Sequence, residues 1–247
     1  MTRRYIGWTV LGMGTLALAA VCTSCATTSP PSEEDVSPLL LDFVPATFVV
    51  GLRVEDGANP SLFSPDSYAI WVGSDVAALR QAKAQEDGAP VDPKLEATAQ
   101  RINENFLIFE CYTASVFGDM SIAYDAVGFR HVSVYLLTPD GRQVAPIQTV
   151  IGGCHEQQEQ ALKKYSRTNL IVFRKRDLFE GGPTIAPDAP AVRLVFDGYD
   201  TVFYFEWVTS LMPEEGWRAT ADEYARVTKV GFSEMYQKLA ALAHVFD

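Results

Sequence analysis

Thr201–Val208 reads TVFYFEWV, and this stretch decides the fold class. Side chains alternate sides along a strand. Phe203, Phe205 and Trp207 therefore share one face, and Tyr204 and Glu206 the other. Three aromatics opposite a carboxylate make a half-buried strand, and burying each ring is worth about 2–3 kcal/mol. Just upstream, residues 192–196 (VRLVF) form a second apolar run, separated from the first by Asp197-Gly198-Tyr199-Asp200. That spacer has hairpin-turn chemistry, so the two runs read as an antiparallel pair.

Working outward, β-branched and aromatic runs divided by turn residues recur at 106–117, 131–137, 143–151 and 169–174. Thr138-Pro139-Asp140-Gly141 marks another hairpin, with Pro139 preset for the second turn position and Gly141 able to take positive φ. Two earlier strands fall at 47–54 (TFVVGLRV) and 68–72 (YAIWV). About eight strands with short turns predict a mainly β protein, a β-sandwich of immunoglobulin-like or related type.

Helical signals are fewer. Residues 76–86, behind Ser74 or Asp75 as a cap, and 93–103, with Pro93 at its start, predict two short helices separated by Gly88-Ala89-Pro90. After Pro213, Thr220 and Glu223 form a capping box. Phe232, Met235, Tyr236, Leu239, Leu242 and Phe246 then recur at helical spacing, which predicts a C-terminal amphipathic helix. Residues 180–191 are the one long loop-like stretch, and the chain shows no internal repeat.

Length and composition bound the class. The 247 residues, 48% hydrophobic and 21% charged, suit one globular domain with a sizeable core. Formal charge is −11. Without a leader holding Arg3 and Arg4 and no acid, 18 of the 20 basic residues remain against 31 acidic, hence −13. Such a surface repels polyphosphate and argues against nucleic acid as a partner.

The leader itself has the order of a secretory signal. Two arginines lie within residues 1–5, 6–21 are uncharged and largely apolar, and 22–26 are small. The apolar stretch is shorter than the 18 or more residues of a spanning helix, and no basic stop-transfer cluster follows. Cys22-Thr23-Ser24-Cys25 resembles the lipobox of bacterial lipoproteins, in which small residues precede a cysteine that becomes the lipidated first residue. It departs from that pattern at Cys22, where an aliphatic residue is usual. The resemblance covers the leader alone and implies a signal peptide over 1–24, lipid on Cys25 and attachment to a membrane. Ala26 behind the cysteine resembles the outer-membrane sorting pattern, facing the periplasm, if the cell has two membranes.

Lipidation at Cys22, plain cleavage after Ala26 and an uncleaved anchor are the competing readings, and Arg3-Arg4 without the rest of a twin-arginine motif is simply a basic n-region. Residues 25–38 are polar and Pro-containing and read as a flexible tether. The single β-sandwich domain with its C-terminal helix then occupies 39–247.

Candidate chemistry is sparse. The chain has no G-x-S-x-G, Walker, G-x-G-x-x-G or H-E-x-x-H motif, and no cofactor or metal is implied. His155 and Glu159, at i and i+4, would share a helix face if 154–159 were helical, although a solvated polar segment is the plainer reading. Asp197, Asp200 and Glu206 could be staged as an acid/base set, yet a turn needs acids there anyway. Lys163, Lys164, Arg167, Arg174, Lys175 and Arg176 stand together without an acid among them in an otherwise acidic chain. They form a candidate anion-binding patch for an envelope component. Cys111 and Cys154, the cysteines left if cleavage falls before Cys25 and lipid occupies that residue, are a candidate disulfide for an exported domain, with two buried thiols as the alternative.

These features predict a lipid-anchored protein of the cell envelope that binds or scaffolds, without chemistry of its own. An envelope hydrolase with a motif-free site is the first alternative. Binding of a lipid or other hydrophobic ligand through the C-terminal helix is the second.

Overall fold

The computed structural model describes residues 47–55, 62–89, 91–116, 120–159, 162–176, 181–208 and 219–241. The leader, Cys25 and the tether lie outside these residues. So do Leu242 and Phe246.

Two antiparallel sheets make up the domain. The first contains β1 (Val49–Gly51), β3 (Tyr68–Val72), β4 (Phe106–Ser115), β9 (Leu162–Arg174) and β7 (Gln148–Val150) in that spatial order, with β8 (His155–Glu159) also paired to β9. The second runs β2 (Arg53–Val54), β11 (Thr201–Val208), β10 (Ala191–Gly198), β5 (Ser133–Leu137) and β6 (Gln143–Val144). The sheets are not closed into a barrel; they face one another as a sandwich. Trp207 of β11 is fully buried and meets Phe109 of β4 at 4.9 Å and Trp71 of β3 at 5.9 Å between ring centroids. Phe203 and Phe205 are buried beside it, while Tyr204 and Glu206 stay half-exposed on the outer face. The alternation read in TVFYFEWV is thus the inside and outside of the second sheet.

The first sheet is covered on both faces, which explains why β3 is buried at every position and β4 at all but Tyr112. Opposite the second sheet lies a helical layer of α1 (Ser74–Glu86), α2 (Pro93–Asn105), α4 (Ala221–Val227) and α5 (Phe232–Ala240). Asp92 caps α2 by accepting from the Lys94 N–H, and Pro93 opens it. Both halves of the Thr220–Glu223 capping box form at α4. At α1 the cap position is Gly73, with no side-chain bond, rather than Ser74 or Asp75. Phe232, Met235, Tyr236 and Leu239 bury the apolar stripe of α5.

Four strand and helix assignments differ from the sequence reading. The expected strand 143–151 divides into β6, paired with β5 in the second sheet, and β7, paired with β9 in the first. The expected strand 47–54 breaks at Leu52: β1 pairs with β3 and β2 with β11, so this short segment serves both sheets. A further helix, α3 (Met120–Val127), lies against β4 and β9 on the sandwich side. Its last carbonyl, on Val127, accepts from Thr113 Oγ1 (3.2 Å) and Asn169 Nδ2 (2.9 Å), which satisfies an otherwise orphaned helix end. Finally, β9 starts seven residues before the expected 169, because β8 and β9 form a polar hairpin arm whose sequence carries no apolar alternation.

The turn between β10 and β11 closes through Tyr199 and Asp200, both at φ 56°, rather than through Gly198. Gly198 is needed for another reason. A Cβ there would sit 2.6 Å from the His131 carbonyl oxygen. No helix among the described residues is long and apolar enough to cross a membrane.

Candidate functional site

A cleft of about 500 Å³ opens where the ends of β3 and β4 meet the helical layer. Its apolar wall comes from Phe48, Trp71, Phe106 and Leu107 at the sheet ends and Phe232 at the start of α5. Its polar wall is one face of α2, since Glu96, Gln100, Asn103 and Glu104 recur at helical spacing around the buried Ala99. The first turn of α1 (Ser74, Asp75) and Lys175 complete the rim. Volume and mixed lining are those of a small-molecule pocket, for which about 300–1,000 Å³ is usual.

Asn103 is the polar group set deepest in that wall. Its amide nitrogen donates to Tyr236 Oη at 2.7 Å, and its other amide end has no partner among the described residues. Burial pushes the Tyr236 phenol up to about 12, against a partial pull from Asn103. Along the rim, Gln100 Nε2 donates to Glu104 (3.0 Å) and Gln81 Nε2 to Glu96 (2.8 Å).

A smaller cavity of about 160 Å³ lies under α5, lined by Val150, Gly152, Leu170, Met235, Lys238 and Glu110 among others. Glu110 is buried on the helical side of β4 and takes the Arg80 guanidinium at 3.0 Å; its second oxygen has no partner among the described residues. Burial pushes the Glu110 carboxyl up and the Arg80 charge pulls it partway back.

The six basic residues of the expected anion-binding segment do not share one face. Lys163 and Arg167 lie on one face of β9, and Lys164 and Arg174 on the other. From Lys163 to Lys175 the chain spans about 40 Å at strand rise. Several of the six are also engaged: Lys163 with Glu156 and Lys164 with Asp66, each at 2.6 Å, and Arg167 with the Gly152 carbonyl at 3.2 Å. Arg174 sits over the Phe106 ring, and the backbone of Arg176 forms an isolated β-bridge with Pro183. Only Lys175 borders the cleft.

The other candidates separate as well. His155 and Glu159 begin and end a strand, not a helical turn, which puts their Cα atoms about 13 Å apart. Among the described residues no three His, Cys, Asp or Glu side chains gather as metal ligands. Glu206 is held by Arg53 and Arg193 at 2.7 Å each on the outer face of the second sheet, and Asp197 and Asp200 flank its hairpin turn. Neither Glu206, His131 nor His155 lines the cleft or the smaller cavity.

The expected Cys111–Cys154 bridge is not formed: both thiols are free. Cys111 on β4 pairs with Asn169 of β9, whereas Cys154 precedes β8 on the far side of β9. With neighbouring strands about 4.8 Å apart and an offset of about two residues along β9, the two Cα atoms stand about 12 Å from each other, beyond the ~7 Å a disulfide spans.

Fold and cleft together define a β-sandwich with a helical layer on one sheet and a ligand-sized opening between them. Compared with protein-family models, curated proteins and solved structures, the chain matches none significantly.

Proposed function

We propose that this is an exported protein, held on a cell-envelope membrane by lipid on Cys25, whose folded part acts as a ligand-binding module. The cleft carries the binding half of this reading. It pairs an aromatic and aliphatic wall with a polar helix face, the composition by which pockets hold a small organic molecule in one orientation. Phe232 on α5 belongs to that wall, which brings the hydrophobic-ligand alternative and the binding module into one site. The export half rests on the leader, its basic n-region, short apolar core and lipobox-like 22–25.

Each half has its own test. A neutral fluorescent apolar probe such as N-phenyl-1-naphthylamine binds the cleft one-to-one and saturably, and Gln100→Trp, which fills the cleft from an exposed position of α2, abolishes it. Equal binding by that variant rejects the cleft. Cys25→Ala removes fatty-acid labelling and membrane retention; a variant that still labels like wild type places the lipid elsewhere.

A further inference from the structure

The geometry points to an organic ammonium with an apolar chain as the ligand class of the cleft, an assignment that rests on the cleft being the binding site. The chain of the ligand lies along Phe48, Trp71, Phe106, Leu107 and Phe232. Its head meets the polar wall, where the lining charges are three carboxylates, Asp75, Glu96 and Glu104, against one ammonium, Lys175.

Carboxylates only accept hydrogen bonds, and an ammonium only donates, so the two match in both charge and hydrogen-bond sense. The first turn of α1 also faces the cleft and its positive end would favour an anion, but Asp75 stands in that same turn and offsets it. A cation entering here also passes aromatic rings, to whose faces it is attracted. The field of the whole chain, formally −11, draws the same sign of ligand. A fatty-acid carboxylate of the same length would be repelled by all of these except Lys175 and the helix end.

Matched ligands isolate the head group. Calorimetric titration of the full chain carrying Cys25→Ala compares decylammonium, decanol and decanoate at neutral pH and low salt, below their aggregation limits. Decylammonium is expected to bind one-to-one about tenfold tighter than decanol, with decanoate weakest, a ratio that two net rim charges of ordinary exposed strength supply. Added salt should erode the preference, because exposed charges are screened. The triple variant Asp75→Asn, Glu96→Gln, Glu104→Gln should keep decanol binding and lose the advantage of the ammonium. Decanol or decanoate binding as tightly as decylammonium, or a preference that survives the triple variant, overturns the ammonium assignment and leaves the cleft as a binding site. If none of the three binds, or if Gln100→Trp binds them like the parent, the cleft reading falls together with it.

Discussion

Arg80 of α1 and Glu110 of β4 meet at 3.0 Å, with side-chain exposures of 0% and 3%, between the helical layer and the first sheet. The same guanidinium donates to the Val227 carbonyl (2.6 Å) at the end of α4 and approaches Met235 Sδ of α5 (2.8 Å). One side chain thus links three helices to the sheet. A buried ion pair is costly to desolvate, and breaking it leaves an uncompensated charge.

Arg80→Met is therefore expected to destabilise by about 3–5 kcal/mol, while Arg80→Met with Glu110→Leu recovers most of that loss. Denaturant unfolding of both variants checks it; equal losses in the single and double variants would show that the pair is not the cause. Acid should reduce the single variant's deficit. Burial holds the Glu110 carboxyl above its ordinary range, so its protonated form favours the fold, and that contribution is present at low pH and lost as pH rises. Without Arg80 the effect grows.

Tyr236 gives a pH dependence at the other end of the scale. Its phenol, buried beside Asn103, is pushed up to about 12 from an ordinary 10. A raised folded value means that stability is intact below pH 10 and falls as pH climbs towards 12, by about 3 kcal/mol at the top of that window. Tyr68, also pushed up to about 12 mainly by burial, adds to the same loss. Tyr236→Phe should flatten part of the alkaline decline and cost about 1 kcal/mol at neutral pH, where Asn103 loses its partner. Stability measured from pH 9 to 12 decides it, and an unchanged slope in the variant would reject the assignment.

The sandwich was legible because its second sheet is written as alternation and its first, covered on both faces, as short continuous apolar runs. TVFYFEWV and YAIWV each occupy the span read for them. The helical layer was legible at its caps, Pro93 and Thr220–Glu223, but α3 was not. Among its described side chains the buried ones are Ala123, Ala126 and Val127, small residues that make a weak apolar signal. The β8–β9 arm was missed because its residues are mostly polar and no apolar alternation marks it.

The cleft depends on side chains from five separated segments, and no local spacing reveals such a convergence. One signal was present and unused. Arg80 falls on the face of α1 that buries Val76 and Ala77, and Glu110 sits inside the apolar run of β4. Opposite charges at two core positions mark a buried pair.

Gly152 and Gly153 should respond to alanine in opposite ways. A Cβ on Gly152 would stand 2.1 Å from the Thr168 carbonyl oxygen, a backbone atom of the neighbouring strand, so the chain at β7 must shift. That shift also strains the Gly152 N–H bond to Asn169 Oδ1 (3.2 Å), the side chain that holds Val127 and α3. Gly152→Ala is expected to cost about 2–4 kcal/mol. At Gly153 a Cβ meets nothing within 4 Å, and alanine should be neutral or stabilising by up to about 1 kcal/mol through reduced unfolded-chain entropy. Equal thermal midpoints for the two variants would contradict the close approach.

The two free thiols outside the leader make the fold accessible to a chemical probe. Cys111 is wholly enclosed, paired in register with Asn169 in the middle of the first sheet, and burial lifts its thiol well above the ordinary range. The reactive species is the thiolate, so both access and ionisation protect Cys111 in the folded state. Cys154 stands half-buried at the edge, outside the ladder, where reagent can reach it. Alkylation of the native, unreduced protein should therefore modify Cys154 and spare Cys111, with peptide mass spectrometry telling them apart. Cys111 should become reactive only at the rate of global opening, because its strand pairs on both sides and opens last. In denaturant without reductant both cysteines should label. Failure of both to label there would mean that oxidation had joined them, which requires the chain at β9 to rearrange so that strands now separated by a third come within bonding distance.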